Sequence, residues 1–250
     1  QRGFDVVVFD KRDEIGGNLH VAKKPPFKGK FEWAIDYYKS MAKKLNITMK
    51  LGKEVTAQEV LALKPYSILV ATGSNVISIP LEGLDQVQTV QAHDVLANDM
   101  QFANKKVVVI GGGITGLETA LYINRQGTNQ VSVVDMLPEW PVDMLDMRYQ
   151  NEALLEVRHC NDQGVALFYN NKVVKFADGK LFIESTKDGE VKELPADVIV
   201  LSVGVKPNDA LWQELLASGH PSVWKAGDAI ATGKINKAVL HGSKFGYSLN

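Results

Sequence analysis

The run Lys105-Lys106-Val107-Val108-Val109-Ile110-Gly111-Gly112-Gly113-Ile114-Thr115-Gly116 joins a β-branched apolar segment to a Gly-x-Gly-x-x-Gly turn, and the helical pattern Leu117 to Arg125 follows it. An apolar run of this length, closed by glycines and followed by a helix, reads as a buried strand feeding a dinucleotide-binding turn. Gly111 permits the tight turn, Gly113 lets the backbone approach a pyrophosphate, and Gly116 lets the helix pack on its strand. Gly112, Ile114 and Thr115 complete that turn, whose helix start offers amides and a positive dipole end to phosphates. The next run, Gln130 to Val134, ends at Asp135, 19 positions after Gly116. There a carboxylate accepts from a ribose 2′-hydroxyl and repels a 2′-phosphate. The nearest following Arg is Arg148, so NAD(H) is expected in preference to NADP(H).

Working outward, the chain repeats this layout. Gly3-Phe-Asp-Val-Val-Val-Phe9-Asp10 parallels Gly127-Thr-Asn-Gln-Val-Ser-Val-Val134-Asp135: a helix-closing glycine, a short β run and a terminal acid. Tyr66 to Gly73, ending Ala71-Thr72-Gly73, likewise parallels Asp197 to Gly204. Two similar α/β nucleotide folds with parallel sheets are therefore expected. The copies differ at one point. The second is preceded by its strand, glycine turn and helix, whereas only Gln1 and Arg2 precede Gly3. The chain is expected to be part of a longer protein, the first copy lacking about twenty residues that would carry its own phosphate-binding turn.

Around these copies, helices are expected over Phe31 to Leu45, after the Pro-rich stretch Lys24 to Lys30, over Asp146 to Asp162, near Asp209 to Ala217, and from about Lys234. Gln91 to Asn104 reads as a connection, and a Lys-Asp-Gly turn is expected at Lys187 to Gly189. The fold class is α/β, with two Rossmann-like domains. Residues 1–100 form the first part of one domain, 101–212 a second domain inserted into it, and 213–250 the return segment. In the first domain Asp10 reads as a ribose contact or as a solvated turn acid, Gly16-Gly17 suits a bulky ligand lying against the backbone, and Gly227-Asp228 suits a diphosphate and a polyol hydroxyl, although spacing alone favours Asp228 as a turn or cap residue.

Composition narrows the partners. With 45% hydrophobic and 23% charged residues the chain buries a core, and disorder is excluded. Lys plus Arg number 28 against 29 for Asp plus Glu, which leaves no basic excess for nucleic acid or a membrane surface. The apolar runs are strand-length, far short of a membrane span. A single cysteine, Cys160, excludes an internal disulfide, a CxxC redox pair and a cysteine metal cluster in this chain. A cytoplasmic setting is expected, with small-molecule nucleotides as partners and room left for a homo-oligomer. His20, His93, His159, His220 and His241 lack ligand spacing, so neither a metal site nor a catalytic triad is expected. Trp33, Tyr37 and Tyr38 are expected to pack, with Trp33 or Tyr37 able to face a ligand.

The motifs Asp10-Lys11 through Gly16-Gly17, Ala71-Thr72-Gly73, Gly111 to Glu118, and Ala226-Gly227-Asp228 with Gly233-Lys-Ile-x-x-Ala238 together resemble the two-dinucleotide-binding flavoprotein reductases. In these an FAD domain carries an inserted NAD domain. The segment Gly16-Gly17-Asn18-Leu19-x-x-Ala22-x-x-Pro25-x-x-Lys28, with Tyr37-Tyr38, is similar to the C-terminal part of the iron-sulfur old yellow enzyme relatives: 2,4-dienoyl-CoA reductase, enoate reductase and trimethylamine dehydrogenase. The resemblance implies that NAD(P)H reduces FAD, and that electrons then pass through an iron-sulfur cluster to FMN in an N-terminal barrel that reduces an activated alkene. It further implies that Asp10 and Lys11 hold the FAD adenosine, Val55 the adenine, Gly16 to Leu19 the ribityl and flavin region, and Gly227-Asp228 the diphosphate and ribityl. Thr72-Gly73 and Gly204 would flank the cofactors, and Glu118 would lie near the nicotinamide. Such a site moves a hydride without an acid or base from the protein. In the trimethylamine dehydrogenase relatives the same region holds ADP as a structural ligand, which is the alternative expectation.

Overall fold

Short β runs separated by helical patterns fold into the elements that their periodicities predict. The first part of the chain forms β1 (Val7–Phe9), α1 (Leu19–Ala22), α2 (Phe31–Lys44), β2 (Thr48–Lys50), α3 (Ala57–Ala62), β3 (Ile68–Val70) and β4 (Ser74–Val76). The middle forms β5 (Gln88–Gln91), α4 (Ala92–Ala97), β6 (Lys106–Ile110), α5 (Ile114–Asn124), β7 (Gln130–Asp135), α6 (Met147–Asp162) and β8 (Ala166–Tyr169). It continues through β9 (Asn171–Ala177), β10 (Lys180–Ser185), β11 (Val191–Pro195) and β12 (Val198–Leu201). The chain then closes with β13 (Val205–Pro207), α7 (Ala210–Ala217), β14 (Val223–Lys225) and α8 (Ile235–Ser248). This computed structural model describes residues 2–138 and 147–249. Two compact units result: residues up to Gly17, Tyr37–Ile77 and Gly204 onward form unit 1, and Asn18–Asp36 with Ser78–Val203 form unit 2.

Unit 2 is built on a five-stranded parallel sheet in the order β5-β12-β6-β7-β8. The period of two along β6 divides its side chains between two cores. Val107 and Val109 face the helices, where they meet Leu117, Leu121, Val157 and Cys160. Val108 and Ile110 face a second, three-stranded antiparallel sheet, β11-β10-β9, through Phe176, Leu181 and Ile183. The central strands are covered on both faces, and Val198, Ile199 and Val200 are wholly buried. Each such side chain contributes about 1.5–3 kcal/mol by leaving water.

Unit 1 holds smaller sheets. β1 pairs with β2 and β3 with β14, both in parallel, while β4 and β13 form an antiparallel ribbon. Its core is Ile68 and Val70 packed with Ala57 and Leu215. Thr56 begins α3 with a capping box: its hydroxyl accepts the Glu59 amide at 3.3 Å, and the Glu59 carboxylate accepts the Thr56 amide at 3.0 Å.

Two local expectations change. The stretch Gln91 to Asn104 carries helix α4, and β5 just before it is an edge strand of the unit 2 sheet. Its Gln-Thr-Val-Gln sequence is a weak strand signal that gains its partner only from β12, far along the chain. The buried stripe of α2 is Ile35 and Ala42, whereas Trp33 and Tyr37 are 69% and 59% exposed. The helical pattern from Asp146 begins at Met147 in α6; Asp146 itself lies outside the described residues.

Candidate functional site

At the carboxyl end of β6 the chain turns because the neighbouring backbones leave no room for a side chain. Gly111 donates its amide to Val134 O at 2.8 Å, Ser202 donates to Ile110 O at 2.8 Å, and a Cβ on Gly111, whose φ is +110°, would collide with the Ser202 carbonyl. A Cβ on Gly116 would collide with the Gly111 carbonyl oxygen. Gly113 is different. It caps α5 in an extended conformation, and a Cβ there would meet nothing within 4 Å. Gly111 and Gly116 are thus required by the protein's own packing, while Gly113 keeps a cradle open at the start of α5. The first amides of that helix, from Ile114, Thr115 and Gly116, point out of it without intrahelical carbonyls to meet them.

Asp135 closes β7 beside this turn. Its carboxylate accepts the Gly112 amide at 2.6 Å and the Leu137 amide at 2.8 Å, so it braces the glycine turn as well as marking the sheet end. Tyr169, at the end of β8, backs the same glycine: a Cβ on Gly112 would stand 2.9 Å from its ring. Sequence reading missed Tyr169, for which a lone aromatic at a strand end is the only signal. The Arg148 side chain lies outside the described residues.

Glu118, on the second turn of α5, is 8% exposed and ion-pairs with Lys28, which also donates to Glu152 at 2.7 Å. Burial holds the Glu118 carboxyl above the usual carboxylate range, against the pull of Lys28. Burial alone would lower the Lys28 ammonium, but its bonds to Glu118 and Glu152 raise it, so it stays protonated. Lys28 stood in the Pro25-x-x-Lys28 motif without a role assigned to it; the pair becomes visible only when the loop meets α5.

In unit 1, Asp10 follows β1 and accepts the Arg12 amide at 2.9 Å, just as Asp135 accepts that of Leu137. Lys11 is exposed beside it, and Val55 precedes the capping box of α3. Gly16 and Gly17 both take positive φ, at 125° and 52°. Asn18 and Leu19, expected to continue that loop, belong to unit 2 as the start of α1. The β3 and β14 pairing brings two other expected turns together. Ser74, next to Thr72 and Gly73, donates to Asp228 at 3.3 Å, and the other Asp228 oxygen accepts the Gly233 amide at 3.0 Å. Thr72 donates to Asn208 O at 2.5 Å, which leaves its hydroxyl engaged by the protein, while Ala71 is exposed. Gly227 donates its amide to His241 Nδ1 at 3.2 Å, so that amide is engaged by α8. Gly204 packs beside Ile77 at the β4 and β13 ribbon.

A match to the family model described as "Pyridine nucleotide-disulphide oxidoreductase" covers residues 28–240. The chain belongs to this family. It is an oxidoreductase domain of the FAD- and NAD(P)H-binding kind. Among curated relatives it is 33% identical over 207 residues to bilirubin reductase of Mediterraneibacter gnavus, covering 83% of this chain and 31% of that one. It is 30% identical over 257 residues to NADH oxidase of Thermoanaerobacter brockii, covering 100% of this chain and 38% of that one. A solved structure of 2-naphthoyl-CoA reductase superposes with a TM-score of 0.88 at 27% identity, covering 100% of this chain and 37% of its own. The chain thus spans about a third of the length of the relatives it matches. No helix among the described residues is long and apolar enough to cross a membrane. Although the family is described by disulphide chemistry, the lone Cys160 thiol is pushed up to about 12 by burial and by Glu156, which leaves it unreactive at neutral pH.

Proposed function

We propose that this chain is the NADH-accepting, FAD-holding module of a longer flavoprotein reductase, in which hydride passes from NADH to FAD and electrons go on to an iron-sulfur and FMN part that reduces an activated alkene. The observation that carries the reading is the open cradle at Gly113, flanked by the α5 amides and by Asp135. The residues fit a dinucleotide: amides and a helix dipole for the pyrophosphate, backbone room for its approach, and a carboxylate with lone pairs left for a ribose hydroxyl. In unit 1, Asp10, the Gly16-Gly17 loop and the joined Thr72-Gly73 and Gly227-Asp228 turns fit the sugar and polyol parts of FAD, with Lys11 and Val55 on the adenosine side.

Bound FAD supplies the ability to take a hydride at its ring, and the protein's part is orientation and electrostatics. Asp135 holds Gly112 so that the turn keeps its shape, and it selects NADH by repelling a 2′-phosphate. Lys28 holds Glu118 on α5, on the side assigned to the nicotinamide. The reading takes residues 101–212 as the NAD domain, inserted between segments 1–100 and 213–250 of the FAD domain.

The intact protein should be yellow and should oxidise NADH with an artificial acceptor. If ADP binds as tightly as NADH and no NADH is oxidised by the FAD-loaded protein, the region is a structural nucleotide site and the reductase reading fails.

A further inference from the structure

Gly112 lies buried in the middle of the turn, and what excludes a side chain there is space rather than backbone conformation. Its φ is not positive, whereas that of Gly111 is +110°. A Cβ on Gly112 would stand 2.9 Å from Tyr169 Cε1 and 3.1 Å from Asp135 Cβ, two neighbours that close on it from adjacent strands. Asp135 and Tyr169 are register partners in the parallel pairing of β7 with β8, so their side chains leave the same face of the sheet on strands about 4.8 Å apart. That face carries Val131 and Val133 toward α5, and Leu167 and Tyr169 pack against the same core. The two side chains also meet the two polar ends of the glycine. Asp135 accepts the Gly112 amide at 2.6 Å, and the Tyr169 hydroxyl stands 3.5 Å from Gly112 O. Two residues on, the buried Asn171 side chain donates to Tyr169 O at 2.8 Å and fixes the end of β8. The rest of the turn is fastened elsewhere: Gly111 by β7 and β12, and Gly116 by its packing on Gly111. Gly112 and Gly113 bridge those fixed points, and Gly113 is the residue left open for the pyrophosphate. Whatever sets the position of Gly112 therefore sets the mouth of the cradle.

We propose that Tyr169 is a positioning residue for the dinucleotide: its ring is the floor under Gly112, and it keeps the Gly112 amide on Asp135 and the Gly113 cradle open to the pyrophosphate. The proposal rests on the reading that this turn admits NADH. A turn that sinks into the place of the ring draws its amide away from Asp135, and the acid assigned to the ribose loses its bearing. Because Tyr169 acts through Gly112, its loss should be felt in NADH affinity and not in the hydride step once NADH is bound.

The test is steady-state NADH oxidation by the intact FAD-loaded protein with an artificial acceptor, together with calorimetry of NADH binding, for Tyr169→Leu, Gly112→Ala and the two combined. Tyr169→Leu keeps an apolar side chain against the core and withdraws Cε1 from beneath Gly112, so KM for NADH should rise about tenfold with kcat unchanged. Gly112→Ala drives a methyl into the ring and should weaken NADH by about as much. In the combined variant the methyl fills the space that the ring has left, so the second substitution should restore affinity instead of lowering it further. A merely structural Tyr169 gives no such reversal of sign. Effects that multiply overturn the proposal, as does a Tyr169→Leu protein that keeps the wild-type KM or loses kcat at unchanged KM. If Tyr169→Leu does not fold, Gly112→Ala decides alone, and unchanged NADH affinity there overturns the proposal. A wild type that binds NADH while the variants show no coupling removes the role of Tyr169 and leaves the reductase reading standing; a wild type that binds no NADH overturns both.

Discussion

The ends of β7 and β1 share an acid and one local contact, and differ in the strands bonded around it. Asp135 and Asp10 each accept the amide two residues on, at 2.8 and 2.9 Å. Beyond that, Asp135 also holds Gly112, and its strand pairs with β6, which in turn pairs with β12. The sequence counterpart of β12 is β3. Among the described residues, β1 pairs only with β2 and β3 only with β14. Phe4 and Tyr66, just ahead of β1 and β3, stack at 6.0 Å. The strand-end acid and the glycine turn are thus separable parts. The acid needs only its own strand end, whereas the turn needs a strand bonded on both sides, because Gly111 and Ser202 fasten it to β7 and β12.

The strongest way to break this comparison is at Gly116. Gly116→Ala places a methyl against the Gly111 carbonyl and should cost about 3 kcal/mol of unit 2 stability, the upper range for overpacking. Denaturant unfolding checks it, and an unchanged midpoint would mean the turn is not fastened as described. Gly113→Val should act on the ligand instead. With open space around its Cβ, the fold should keep its melting temperature while NADH affinity falls about 100-fold, or about 2.7 kcal/mol.

Asp135→Ala should weaken NADH and reduce its preference over NADPH by about tenfold, or 1.4 kcal/mol, whereas Asp10→Ala should leave both untouched. Steady-state binding of the two nucleotides to both variants separates the sites; equal effects of the two substitutions would show that the copies are not distinct. The smallest effects lie away from either turn. Thr56→Ala should cost about 1 kcal/mol through the α3 cap, measured by thermal melting. The bonds of Glu59 to Lys53 and Thr56 lower its carboxyl to about 2. The stabilisation they carry is complete above the ordinary carboxylate range near 4.5 and fades as pH falls toward 2. Glu59→Gln should remove that part of the acid-unfolding profile.

The glycine turn, Asp135 and the paired layout were legible because each depends on local rules: a φ or a contact that only glycine tolerates, a β-branched run, an acid at a strand end. The weak strand β5 was not, since Gln88–Gln91 becomes a strand only by pairing with β12. Lys28, Tyr169 and His241 escaped for the same reason. Their partners, Glu118, Gly112 and Gly227, are remote in sequence and on other elements, and no spacing rule links them. Trp33 and Tyr37 misled because helical spacing shows that residues share a face, not that the face is covered.

On the proposed function, the Gly111 to Gly116 turn admits the electron donor of a two-cofactor module. The most direct test is anaerobic mixing of the FAD-loaded protein with NADH while the flavin absorbance is followed, for the wild type and Gly113→Val. The flavin should bleach rapidly in the wild type, and the variant should need about 100-fold more NADH for the same response. A flavin that stays yellow with saturating NADH, or that bleaches equally in both proteins, would contradict it.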